Sequence, residues 1–191
     1  MVAVAEFTLN EMMRTGHVKR WQIVRVAREQ TIAEHMYRVW LITSQICHRL
    51  DLPISISSSA NVWALMHDMP EVLTGDIATP TKEAMRKAIP DSDPVHNIEL
   101  SMSDTYRDAW ASAKTQHFDD LPTAYEIVKL ADTIEAACFL GCEAIGNHAN
   151  QVLDGMRSKV GYVYRDLCRK YPTVEWGLIE DDIINSHWSK V

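Results

Sequence analysis

Apolar residues recur at helical period along most of this chain, and the period breaks at proline, glycine and short polar clusters. Residues 4–15 predict a short first helix, followed by a polar, basic connector over residues 16–30. The next helix is predicted over residues 31–50, with Ile32, Met36, Val39, Trp40, Ile46 and Leu50 on its apolar positions. Thr31 followed by Glu34 has the form of a capping box, and Asp51-Leu52-Pro53 ends the helix. A helix over residues 58–72 follows, with serines available as N-cap. Residues 75–80 read as a loop, and residues 81–88 as a short helix ending before Pro90. Pro94 opens a helix to about residue 115, and Pro122 opens another to about residue 146. Residues 149–170 and 176–189 complete the set. No neighbouring runs alternate as strands do, so the expected fold class is all-α.

Composition narrows this picture. The 191 residues suit one domain over 1–191, with only seven glycines and seven prolines to make turns. The formal net charge of −7 argues against a nucleic-acid partner. Within that acidic chain Arg14, Lys19, Arg20, Arg25 and Arg28 form a basic block with no acid between Arg14 and Arg28. Phosphate binding explains such a block, because arginine offers a bidentate fork. No segment reads as a membrane span, and residues 1–10 lack the basic start and apolar core of a signal peptide. The expected setting is cytoplasmic, without a membrane partner. Cys47, Cys138, Cys142 and Cys168 form no C-x-x-C pair and read as reduced structural thiols.

Candidate chemistry concentrates in three places. In the segment from His67 to Asp76, Ala60, Trp63, Ala64 and His67 share one predicted helix face, and Glu71 lies four residues beyond His67. Pro70 removes a backbone N–H between the two and favours a kink there. His35 lies in line with Val39, Ile42 and Ile46, a side that must be buried, and a buried histidine needs a partner. Asp132 interrupts an apolar run of Ile127, Val128, Leu130 and Ile134, where a carboxylate calls for a cation or several donors. Mixed nitrogen and oxygen donors suit a divalent ion. Trp40, Trp63 and Trp110 fall in helical runs and are expected in the core.

The order H…HD…D, carried by His35, His67-Asp68 and Asp132, resembles the HD-domain metal-dependent phosphohydrolases. Arg20-Trp21, Ala33-Glu34-His35, His67-Asp68-x-x-Glu71, Gly75-Asp76 and Thr79-Pro80-x-Lys82 resemble, more narrowly, the YfbR-like 5′-deoxynucleotidase branch. The stretch from Gly16 to Ile23 is also similar to the small phage dATP triphosphohydrolases of that branch. The resemblance implies a helical homo-oligomer acting on a small-molecule deoxynucleotide. It implies a divalent ion (Mn²⁺, Co²⁺, Zn²⁺ or Mg²⁺) on His35, His67, Asp68 and Asp132. Glu71 is the implied catalytic carboxylate beside Asp68. Arg20 and Lys82 are implied phosphate contacts, Trp21 a stacking surface, Asp76 an acceptor for the sugar 3′-hydroxyl, and Ile23 part of the base pocket. Two reactions fit: hydrolysis of dATP to deoxyadenosine and triphosphate, toward which the basic block and the phage-like stretch lean, and dephosphorylation of deoxynucleoside monophosphates. A third reading is a nucleotide-binding protein without turnover. His17, His48, His96, His117, His148 and His187 match no motif and receive no role.

Overall fold

The computed structural model describes residues 7–115 and 118–185, and every element in it is helical or a turn. His117, His187 and the expected helical residues 4–6 and 186–189 lie outside the described residues. The chain runs through α1 (Leu9–Met12, extended by a 3₁₀ turn Met13–Gly16), α2 (Ile32–Arg49), α3 (Ile54–Ala64) and α4 (Glu71–Thr74). It continues through α5 (Thr79–Ala88), α6 (Pro94–Met102), α7 (Asp104–Lys114), α8 (Ala124–Glu143) and α9 (Gly146–Lys170). A short α10 (Gly177–Ile179) leads into a π-helical turn, Glu180–Ile184.

Helix α8 is the central element. A full capping box of Thr123 and Glu126 starts it, and its residues Ile127, Val128, Leu130, Ala131, Ile134, Ala137, Phe139 and Leu140 are all buried. A helix apolar nearly all round must be enclosed, and α2, α3, α7 and α9 pack against it. Each fully buried Ile or Leu contributes about 1.5–3 kcal/mol relative to exposure. That apolar grip lets α8 carry Asp132 and Glu135 into the middle of the molecule. Trp63 is buried as expected, while Trp40 and Trp110 lie half-buried against the same core. All four cysteines are free.

Several boundaries depart from expectation for local reasons. Helix α2 has only half the expected capping box: Thr31 accepts from the Glu34 N–H, but the Glu34 carboxylate bonds Arg28 and pairs with Arg38 instead. The helix expected over 58–72 begins at Ile54 behind Pro53, with no serine cap, and stops at Ala64. Beyond it the N–H groups of Leu65, Met66, Met69 and Glu71 bond carbonyls three residues back, so tight turns replace the helix. Pro70 explains this, since it offers no N–H and its ring clashes with the carbonyl four residues earlier. The helix expected from Pro94 to 115 splits at Ser103, which is extended and caps α7 by accepting from the Tyr106 N–H. Pro80 sits within the first turn of α5, which therefore starts at Thr79, inside the expected loop.

The connector between α1 and α2 is docked rather than free. Ala27 N–H donates to the Glu143 carbonyl and Ile145 N–H to the Arg25 carbonyl, where α8 turns into α9. Trp21, Val24 and Val26 pack on a small cluster of Phe139, Leu140 and Leu153. This lays Arg20 and Trp21 beside the buried carboxylates of α8.

Candidate active site

His35, in the first turn of α2, is fully buried. Its Nδ1 lies 2.6 Å from Glu135 Oε2 on α8 and 2.5 Å from Arg20 Nη1, and its Nε2 faces inward. His67 is oriented the same way, with Nδ1 2.9 Å from the Ala64 carbonyl. The two Nε2 atoms stand 3.3 Å apart. Asp68 Oδ2 is 3.4 Å from His35 Nε2 and 3.6 Å from His67 Nε2, and Asp132 Oδ1 is 3.3 Å from His35 Nε2. Donor atoms of His35, His67 and Asp68 all fall within 4.8 Å of one another.

Imidazole nitrogens and carboxylate oxygens converging this closely could hold a cation between them. The chemistry of the set, two imidazoles and aspartate, suits a divalent ion of borderline hardness. The proton equilibria say the same. Burial and the Arg20 charge push His35 down, but its bonds to Asp132 and Glu135 outweigh them and raise it to about 9. Burial also opposes ionisation of Asp132, yet the His35 bond and the charges of His35, His67 and Arg20 hold its carboxyl far below the usual range. A proton on His35 thus occupies electrostatically the place a metal ion suits.

Glu71 opens α4 beside this cluster and is buried. Its Oε1 lies 3.2 Å from Lys82 Nζ of α5, while its Oε2 is buried without a hydrogen-bond partner. Burial first, then the neighbouring Asp68 charge, push the Glu71 carboxyl up to about 9, with Lys82 pulling the other way. The Pro70 break removes the expected alignment of His67 over Glu71, and the turns carry Glu71 to the cluster instead.

Two cavities meet at the cluster and share Asp68, Lys82 and Asp132. The first, about 360 Å³, is walled by Arg20, Trp21, Ile23, Val24, Asp76 and Pro80 on one side and by His148, Val152, Met156 and Lys159 of α9 on the other. The second, about 380 Å³, is lined by His67, His96, Lys114 and Lys129, by Arg86 paired with Asp93 at 2.7 Å, and by Glu99, together with Trp63, Tyr106 and Tyr125. Burial, then the charge of Lys159, depress the Lys129 ammonium, with Asp132 opposing and Lys114 adding to the fall.

All the residues expected at the site are therefore gathered there: His35, His67, Asp68, Asp132 and Glu71 at the cluster, and Arg20, Trp21, Ile23, Asp76 and Lys82 around the first cavity. The basic block is not. Of its five members only Arg20 lines either of these two cavities, while Lys19 pairs with Glu29 and Arg28 pairs with Glu34 and Glu143. The positive charge near the cluster comes instead from Lys82, Arg86, Lys114 and Lys129. Sequence reasoning also missed Glu135, Gln30, His96 and the α9 wall. Glu135 carried a signal, lying three residues after Asp132 on the same helix face.

Comparison with known proteins agrees with this geometry. A family model described as 5′-deoxynucleotidase YfbR-like matches residues 7–162. The dATP triphosphohydrolase of Cyanophage S-2L is 34% identical over 142 residues, covering 74% of each chain. That of Salmonella phage PMBT28 is 31% identical over 160 residues, covering 80% of this chain and 75% of its own. Among solved structures, the Cyanophage S-2L HD phosphohydrolase bound to dA and one catalytic Zn²⁺ ion superposes with a TM-score of 0.75 at 28% identity, over 96% of both chains. With its H…HD…D residues drawn to one point and a family match over most of its length, the chain belongs to the YfbR-like 5′-deoxynucleotidase family of HD phosphohydrolases.

Proposed function

We propose that this protein hydrolyses deoxynucleoside triphosphates, dATP foremost, to deoxynucleoside and triphosphate. The observation that carries the reading is the His–Asp cluster at the meeting point of two unlike cavities. One, walled by Trp21, Ile23, Val24 and Met156 with Arg20 and Lys159 at its sides, suits a nucleoside; the other, where Lys114 and Lys129 stand beside the Arg86–Asp93 pair and Glu99, suits a polyphosphate carried with its counter-ion. The phage relatives named dATP triphosphohydrolases support the same choice.

His35, His67, Asp68 and Asp132 would hold a divalent ion, with Zn²⁺ favoured by the neighbour and Mn²⁺, Co²⁺ or Mg²⁺ compatible with the donor set. When bound, the ion supplies a Lewis acid for a phosphoryl oxygen and acidifies water. Glu71 Oε2 accepts a proton from the attacking water, which explains a buried oxygen without a partner. Burial is the first cause of the Glu71 rise and the Asp68 charge the second, so a cation held by Asp68 would offset the second part. Water oxygen bonds the α-phosphorus as the bond from that phosphorus to O5′ breaks. O5′ leaves with a proton as the nucleoside hydroxyl, and triphosphate departs. Lys82, shared by both cavities, and Arg20 offset charge on the phosphates. Asp76 accepts the sugar 3′-hydroxyl, Trp21 packs on the sugar or base, and Ile23 borders the base.

The family description favours a second reading, a 5′-deoxynucleotidase acting on monophosphates. The protein is further read as a single-domain homo-oligomer of the cytoplasm, with no nucleic-acid or membrane partner; among the described residues no helix is long and apolar enough to cross a membrane. Anion-exchange analysis of products from dATP and dAMP, with each of the four metals supplied in turn to stripped protein, tests the reaction. Deoxyadenosine and triphosphate from dATP support the proposal. Phosphate from dAMP with dATP intact replaces it with the second reading, and tight binding without product replaces both with a non-catalytic binder.

A further inference from the structure

Gln30 ends the connector immediately before the Thr31 cap of α2, and it is fully buried. A buried amide is costly unless its polar atoms are bonded, and here each one is. Its Oε1 accepts from Arg20 Nη1 at 3.1 Å and from Trp21 Nε1 at 2.8 Å. Its Nε2 donates to Glu135 Oε1 at 2.6 Å, and its backbone carbonyl accepts the Arg20 N–H at 2.9 Å. Arginine and indole only donate and the carboxylate accepts, so the partners themselves fix which end of the amide faces which way.

Trp21 needs such a hold. Its φ of 65° places a bulky residue in the left-handed region, a conformation that persists only where the surroundings enforce it. The ring stacks on Phe139 at 5.9 Å, but stacking alone leaves it free to slide in its plane. The Gln30 bond fixes the position of its edge. Arg20 and Trp21 both line the first cavity and Gln30 does not, so any effect of Gln30 on a nucleotide passes through them.

We propose that Gln30 is a positioning residue: Arg20 reaches Glu135 Oε2 directly at 3.3 Å, and Gln30 ties Trp21 to that pair, so that nucleotide placement is linked to the carboxylate beside His35. The catalytic part of this rests on the function proposed above; the clamp itself does not.

The test uses full-length protein labelled with 5-fluorotryptophan and read by ¹⁹F NMR without nucleotide. The Trp21 resonance is the one missing from Trp21→Phe. In Gln30→Met that resonance moves or broadens while the other tryptophan signals stay in place. KM for dATP rises about 10-fold or more, the scale expected when buried hydrogen bonds lose their partner, and kcat falls less. An unmoved Trp21 signal with wild-type KM in Gln30→Met overturns the proposal. If Gln30→Met fails to fold, shown by collapse of all the tryptophan signals, Gln30→Asn, one methylene short of its partners, takes its place under the same criteria. A wild-type protein without turnover overturns the reaction proposed above, and the Trp21 signal still decides the clamp.

Discussion

Replacing Glu135 by glutamine tests how the cluster is held. Glu135 receives three groups at once: His35 Nδ1 at 2.6 Å, Gln30 Nε2 at 2.6 Å and Arg20 Nη1 at 3.3 Å. All three donate, so a glutamine amide can turn its oxygen to only one side and must set its NH₂ against a donor on the other. A charge-assisted bond to His35 becomes at best a neutral one, a loss of about 1–2 kcal/mol before the donor conflict is counted. Removing the carboxylate behind a metal-binding histidine typically weakens metal affinity by about 10–100-fold. The expected result is a Zn²⁺ dissociation constant raised by that factor in chelator competition, with kcat restored when metal is added in excess. Glu135→Asp, which keeps the charge on a shorter arm, loses less. Unchanged metal affinity in Glu135→Gln, with the fold intact by circular dichroism, would refute the orientation argument.

Glu71→Gln is expected to lower kcat by about 10²–10⁴-fold while metal affinity stays within a few-fold, because Glu71 acts on the water rather than on the cluster; steady-state kinetics beside metal titration check it. Lys129→Ala and Lys114→Ala should each raise KM for dATP while leaving the affinity for deoxyadenosine unchanged, read by calorimetry, since both line the second cavity and not the first. Burial works against ionisation of Glu126, but bonds from Lys170, Thr123 and Tyr171 hold its pKa down. A lowered folded pKa gives stability that is present above the unfolded value of about 4.3 and lost as pH falls through the folded pKa. Glu126→Ala should accordingly lower Tm by roughly 2–4 °C at pH 7, and the gap should narrow below about pH 4 in thermal melts.

The His–Asp cluster was legible because His35, His67 and Asp132 fall on faces that otherwise carry apolar residues, and the order H…HD…D added Asp68 through its family resemblance. The basic block misled for a physical reason. The partners that neutralise Arg28 include Glu143, far along the chain, and only the docking of the connector on α8 brings it near. The cations of the second cavity come from α5, α7 and α8, whose convergence leaves no local motif. His148 and Met156 become a cavity wall only once α9 folds back on α8. Helix limits failed where a single residue ruled: Pro70 cut one expected helix short, and Ser103 divided another.

The meeting of two unlike cavities at one cluster has a consequence for product release. On the proposed reading deoxyadenosine, which is uncharged, would sit among aromatic and aliphatic walls, so its departure would be governed by loss of apolar contact. Triphosphate would sit against Lys82, Lys114 and Lys129, so counter-ions in the medium would compete for its place. Ionic strength becomes a control on one end of the molecule alone. Salt should relieve inhibition by triphosphate and leave inhibition by deoxyadenosine intact, so that the composition of the surrounding solution, rather than the chemical step, sets which product lingers.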